Sequence, residues 1–195
     1  MADGPLNLYA YSDSSFADCI DSSRSTLGYV CYANGVVVSA YSKLASRIDS
    51  CINHSELQAL TKCVGADISQ KSSCNEDCPR SAHLFCADLS TRDIIWLRNI
   101  KADLERRQVS SLKPTSLFVD NQGVISILEK PLHHAANKHL MRDFHELREH
   151  LKGGHVQVIK IDSSQNRANP LTKQPSGPAS VEELQWLCAS VREAC

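Results

Sequence analysis

Hydrophobic and polar positions alternate through "LNLYAYSD", where Leu6, Leu8 and Ala10 are set against Asn7, Tyr9 and Tyr11 and the run closes on Asp13. A period of two is the mark of a half-buried strand. "GYVCYANGVVVSAYS" supplies two further β-rich runs joined by Asn34-Gly35, a pair that readily takes the positive φ angles of a tight hairpin. Three antiparallel strands are therefore predicted at the start. The period then changes. In "NHSELQALTKCVGADI", Leu57, Leu60, Val64 and Ile68 recur at helical spacing, which puts Glu56 in the first turn of a helix with Asn53 or Ser55 as its cap. "TRDIIWLRNIKADLERRQ" predicts a second helix. "SLFVD" reads as a buried fourth strand, and Val124, Ile125, Ile127 and Leu128 return to helical spacing, so Asp120 falls on a strand-to-helix turn. "NKHLMRDFHELREHLKGG" predicts a helix ended by Gly153-Gly154, and "HVQVIKI" alternates as a strand. "SQNRANPLTK" predicts a short helix or turn, and "SVEELQWLCASVREAC" an amphipathic tail helix. A hairpin-first mixed sheet, antiparallel and then parallel, flanked by helices is an α/β architecture.

Composition narrows the class. With 195 residues, 42% of them hydrophobic and 22% charged, the chain can bury one sizeable core. The reading is one domain over residues 1–175, with a polar Cys-rich insertion at about 69–90 and the tail helix over 176–195. No apolar run approaches a membrane span, and "MADGPLNLYAYSD" lacks the basic and apolar regions of a secretory signal, so an intracellular protein without membrane contact is expected. A net charge of −1 gives no global basic field, so any nucleic-acid binding needs a local patch. Nine cysteines without a secretory signal point to thiols or a metal rather than to a disulfide framework. Within the insertion, Cys74, Cys78, His83 and Cys86 have the type and number of ligands that tetrahedral Zn²⁺ takes; free thiols or contacts with a partner are the alternative.

Three acids stand out by position: Asp13 at the end of the first strand, Glu56 near a helix start, and Asp120 at the end of the fourth strand. Each taken singly reads as a solvated acid or a cap. Taken together they suit phosphodiester hydrolysis, in which carboxylates from separate elements hold two divalent ions roughly 3.5–4 Å apart.

Four blocks carry a resemblance: "YSDSSFADCIDSSRSTLGYV", "SAYSKLASRIDSCINHSELQAL", "FVDNQGVISILEKPLHHAANKHL" and "QNRANPLTK". In order and spacing they resemble the signature blocks of the ribonuclease H domain of copia-type LTR retrotransposon Pol polyproteins, over about residues 6–175 apart from the insertion. The resemblance implies a ribonuclease H-like fold and Mg²⁺- or Mn²⁺-dependent hydrolysis of the RNA strand of RNA-DNA hybrids. It implies Asp13, Glu56 and Asp120 as catalytic metal ligands, with Asn169 where the family has its fourth acid. Ser12, Ser14, Asn121, Gln122, Lys138 and His139 become candidates for touching phosphate or sugar, and Lys43, Arg142 and Arg148 could extend a basic face.

Departures from the family pattern are as telling. Asn169 keeps an oxygen but removes a charge, which weakens the second ion's site, and Pro170 after it disfavours helical geometry there. Phe16 replaces a Trp, Ser15 an acid, and Asn53-His54 a Thr-Glu pair. Forty positions separate Glu56 from Trp96, a longer gap than the family's. His133 and His134 fall in a loop as surface or structural residues. Two functions follow. One is a nuclease associated with a reverse-transcriptase assembly, in cytoplasm or nucleus. The other is a domesticated, inactive copy that binds structured RNA or protein partners in a ribonucleoprotein such as a mitochondrial ribosome.

Overall fold

The computed structural model describes residues 5–49, 51–64, 94–129 and 141–173. The Cys-rich insertion with Cys74, Cys78, His83 and Cys86, the pairs His133-His134 and Lys138-His139, the Arg142 side chain and the tail helix at 176–195 lie outside the described residues.

Five strands form one sheet in the order β3-β2-β1-β4-β5. β1 (Leu8–Ser15), β2 (Thr26–Ala33) and β3 (Val36–Leu44) are the antiparallel half. β2 and β3 join through Asn34 at φ 50° and Gly35 at φ 87°, the double positive-φ turn expected of that pair. β4 (Thr115–Val119) lies parallel to β1, and β5 (Val156–Lys160) parallel to β4. The helices are α1 (Ile52–Val64), α2 (Ile94–Leu104), α3 (Gln122–Glu129), α4 (Met141–Lys152) and the four-residue α5 (Asn169–Thr172). The α/β class and the hairpin-first mixed sheet expected from periodicity are both present.

The main core lies between one face of the sheet and the longer helices. Leu8, Ala10, Tyr29, Cys31, Leu117 and Val119 from the strands meet Leu57, Leu60 and Val64 of α1, Val124 and Leu128 of α3, and Phe144 and Leu147 of α4. The opposite face carries Val30, Tyr32 and Ala168, flanked by Tyr9, Tyr11 and Leu171. There Tyr9 stacks on Tyr32 with ring centroids 5.0 Å apart, Tyr11 stacks on Phe118 at 4.9 Å, and Arg167 lies over the rings of Tyr11 and Tyr32.

Three local readings are corrected. β1 does not stop at Asp13: Ser14 pairs with Leu27 and Ser15 with Thr26, so pairing with β2 carries the strand two residues past the acid. Helix α1 begins at Ile52, so Glu56 lies one residue beyond its first turn, and neither Asn53 nor Ser55 precedes the helix as a cap. The Ser55 hydroxyl instead donates to the Ile52 carbonyl at 2.8 Å, the backward bond open to a serine already inside a helix. Helix α2 ends at Leu104, short of the stretch through Gln108, and Arg106 at φ 51° marks the break.

Arg98 of α2 is only 1% exposed and, among the described residues, has no carboxylate partner. One terminal guanidinium nitrogen donates to the Lys113 carbonyl at 2.7 Å and to Thr115 Oγ1 at 2.9 Å, and the other reaches the Val109 and Leu112 carbonyls, each at 3.4 Å. It therefore knits together the connection that leads into β4 and sets where that strand begins.

Candidate metal centre

Parallel pairing of β1 with β4 is what assembles the site. Tyr11 and Phe118 are the last residues that β1 and β4 pair with each other, and Asp13 and Asp120 lie two residues further along each chain, at the same end of the sheet. Helix α1 crosses β1 and β2 and brings Glu56 to that end. Asp13, Glu56 and Asp120 each present a carboxylate oxygen, all within 4.8 Å of one another. Strand ends of an α/β sheet are the usual place for such convergence, which is why positional reasoning from sequence found the trio.

Asp13 is 2% exposed and Glu56 4%, whereas Asp120 is half-buried. Burial pushes the Asp13 carboxyl above its ordinary range, and Asp120 adds to this; the Thr172 hydroxyl and the Lys173 ammonium pull it back. Glu56 is pushed up to about 8, first by burial and then by the negative charge of Asp13 and Asp120, with hydrogen bonds from Ser14 opposing. Glu56 Oε2 is buried without a hydrogen-bond partner among the described residues. An unpaired buried acceptor is costly, and three such acids together call for a proton or a cation. Hard carboxylate oxygens converging at one point, one of them without a partner, fit Mg²⁺ or Mn²⁺.

The other candidate residues divide. Ser12 is 1% exposed; its carbonyl accepts from Asn166 Nδ2 at 2.9 Å. Ser14 is also buried, and its hydroxyl donates to Ser55 Oγ at 2.8 Å. Both were expected to touch phosphate or sugar; both side chains instead lie on the α1 face of β1, in step with Leu8 and Ala10, where Ser55 meets Ser14. Asn121 caps α3: its Oδ1 accepts from the Gly123 N–H at 2.8 Å and the Val124 N–H at 3.3 Å. Gln122 and Lys43 are exposed, and Arg148 lies over the Phe144 ring at 5.1 Å.

Asn169 opens α5 despite Pro170, since a proline among the first helical residues forfeits no intrahelical bond. Its amide is engaged on both sides. Nδ2 donates to the Ser163 carbonyl at 2.6 Å, and Oδ1 accepts from Lys173 Nζ at 2.8 Å. Thr172, Lys173 and Gly28 were not singled out from sequence, yet all bear on Asp13. Thr172 donates its hydroxyl to Asp13 Oδ2. The two residues are 159 positions apart, and no local pattern announces such a contact.

No family model matches the chain. Its sequence is similar to the retrovirus-related Pol polyprotein from transposon TNT 1-94 of Nicotiana tabacum, 26% identical over 166 residues, 85% of this chain and 10% of that polyprotein. The corresponding polyprotein from transposon RE1 of Arabidopsis thaliana is 22% identical over 174 residues, 89% of this chain and 10% of its own length. The chain thus spans about a tenth of the curated relatives it matches. Among solved structures, the N-terminal RNase H domain of rv2228c from Mycobacterium tuberculosis superposes with a TM-score of 0.50 at 10% identity, over 97% of this chain and 99% of that one. LC11-RNase H1, isolated from compost, gives 0.50 at 14% identity, over 85% and 91%. Among the described residues, no helix is long and apolar enough to cross a membrane.

Proposed function

From its kinship with the Pol polyproteins of copia-type retrotransposons and its ribonuclease H fold, we propose that this chain is a divalent-metal nuclease that hydrolyses the RNA strand of RNA-DNA hybrids. One observation carries the reading: one carboxylate oxygen from each of Asp13, Glu56 and Asp120 lies within 4.8 Å of the others, with Glu56 Oε2 buried and without a hydrogen-bond partner among the described residues. A domain kept only as a scaffold gains nothing from three mutually repelling acids.

Asp13, Glu56 and Asp120 would hold Mg²⁺ or Mn²⁺, which supplies an activated water and charge stabilisation for the leaving oxygen. The protein's part is to set the ligands. Lys160 Nζ donates to the Asp120 carbonyl at 2.8 Å and fixes the backbone that carries this acid. Asn121, by capping α3, holds the turn between Asp120 and the exposed Gln122, the described candidate best placed to meet a substrate's sugar or phosphate. The ligand set is completed without Asn169, whose amide oxygen and nitrogen serve Lys173 and Ser163.

That same Asn169 favours a second reading, in which a domesticated copy has lost hydrolysis and keeps RNA or protein binding within a ribonucleoprotein. Cleavage of a labelled RNA-DNA hybrid with Mn²⁺, by the protein and by Asp120→Asn, separates the two. Cleavage lost on substitution supports the nuclease; equal silence from both, with hybrid still bound, supports the binding subunit.

A further inference from the structure

The segment from Ser163 to Lys173 is fastened to the sheet at several points. Asn166, 4% exposed, donates to the Ser12 carbonyl, while its Oδ1 accepts from the Ala168 N–H at 3.1 Å. Ser42 of β3 donates its hydroxyl to the Leu171 carbonyl. These ties bring α5 down onto β1 and β2 at one particular place. Gly28 is the cross-strand partner of Asp13, and a Cβ on it would lie 2.6 Å from Thr172 Cγ2 and 3.1 Å from Leu171 Cβ. The missing side chain opposite the acid is therefore the space that Thr172 fills. Thr172 is 3% exposed, and its hydroxyl faces two acceptors, Asp13 Oδ2 and the Asn169 carbonyl at 3.1 Å. A single hydroxyl proton serves one of them at a time, and an ionised carboxylate is the stronger acceptor.

We infer that Thr172 is a positioning residue of the metal centre: its hydroxyl holds Asp13 Oδ2 so that the other carboxylate oxygen is presented to the ion, and Gly28 is the residue that admits it. This rests on the proposed metal reading. The 163–173 segment would then act on the site by orienting a ligand, in place of the charge that Asn169 does not supply. Ligating carboxylates are themselves hydrogen-bonded in most metal sites, and removing such a partner typically costs about 10–100-fold in metal affinity.

Calorimetric titration with Mn²⁺ tests this on the full chain, with Thr172→Val, Thr172→Ser, Gly28→Ala and the double variant Gly28→Ala/Thr172→Ser. Valine keeps the shape and removes the hydroxyl, so affinity is expected to fall about tenfold or more. Serine keeps the hydroxyl and should stay near the parent. Gly28→Ala should weaken binding by pushing Thr172 away, and serine in that background should recover much of it, because the atom 2.6 Å from the added Cβ is the Cγ2 that serine lacks. Thermal unfolding without metal identifies any variant that fails to fold, and a crystal structure of metal-free Thr172→Val reads the Asp13 rotamer directly. A valine variant that binds Mn²⁺ like the parent, or in which Asp13 keeps its orientation, overturns the inference. A parent that binds no Mn²⁺ sinks the metal reading instead, while the Asp13 rotamer still judges the role of Thr172.

Discussion

Two buried ionisable groups sit on different helices of this fold, and their partners differ. Arg98 is removed from water by the connection into β4, yet both of its terminal guanidinium nitrogens have oxygen acceptors, and only Nε is left over. Glu56 is removed from water at the strand ends, with two acids beside it and one carboxylate oxygen lacking a hydrogen-bond partner among the described residues. A buried charge surrounded by fitted acceptors has finished its work when the chain folds. A buried charge left short of partners is finished only when something else arrives. The first arrangement stabilises; the second stores a binding capability at the expense of stability.

That contrast can be broken from either side. The largest effect is expected from Asp120→Asn, which should abolish Mn²⁺-dependent hybrid cleavage while leaving the fold intact by circular dichroism. Next, Arg98→Met should lower unfolding free energy by about 3 kcal/mol, as expected for losing hydrogen bonds to a charged group, with Mn²⁺ affinity unchanged in calorimetry. Glu56→Gln should do the reverse: above pH 8 it should raise metal-free stability in urea unfolding and eliminate tight Mn²⁺ binding. Should Arg98→Met alter the metal and Glu56→Gln destabilise the apo fold, the contrast is wrong.

A smaller effect lies in pH. The folded pKa of Glu56, pushed up to about 8, stands above the ordinary value of 4.5. Between those values the folded chain retains a proton that the unfolded chain has released. Metal-free stability should therefore fall as pH rises through that window. Mn²⁺ binds the deprotonated form, so the stabilisation it gives should grow over the same range; unfolding midpoints measured with and without Mn²⁺ at pH 5 and pH 8.5 would show it. A metal-free midpoint independent of pH would count against a strongly raised Glu56. The smallest expected effect is a few-fold gain in Mn²⁺ affinity for Asn169→Asp, part of the new charge being neutralised by Lys173.

What the sequence made legible was mostly local. Alternating runs and Asn34-Gly35 laid out the hairpin, and acids near strand ends marked Asp13 and Asp120 as candidates, since strand position is a property of a few neighbouring residues; that they meet was not in their spacing. The start of α1 was misread because Ser55, a good capping residue, bonds backward to Ile52 instead. Ser12 and Ser14 read as substrate contacts because they flank an acid, and helix α1, some 40 residues later, packs on the face they share with Leu8 and Ala10. Thr172 and Gly28 were invisible for the same reason. Their roles exist only once distant pieces of chain have met, and a glycine within a strand otherwise reads as a weak point.

The pairing of Asp13 with Gly28 has a consequence for how the molecule folds. It exists in a single register of β1 against β2, whose connection passes through Ala17 and Ser23 at positive φ and whose far end is tied by the Asn34 N–H donating to the Asn7 carbonyl and the Asn7 N–H to Asn34 Oδ1. A hairpin closed one residue out of step would set Leu27 or Tyr29 against Asp13 and turn the side-chain pattern of one strand to the wrong face. The closing segment would then find no seat. If the proposed site binds Mn²⁺, that binding would serve as a proofreading signal, counting the molecules whose β1 and β2 paired in register.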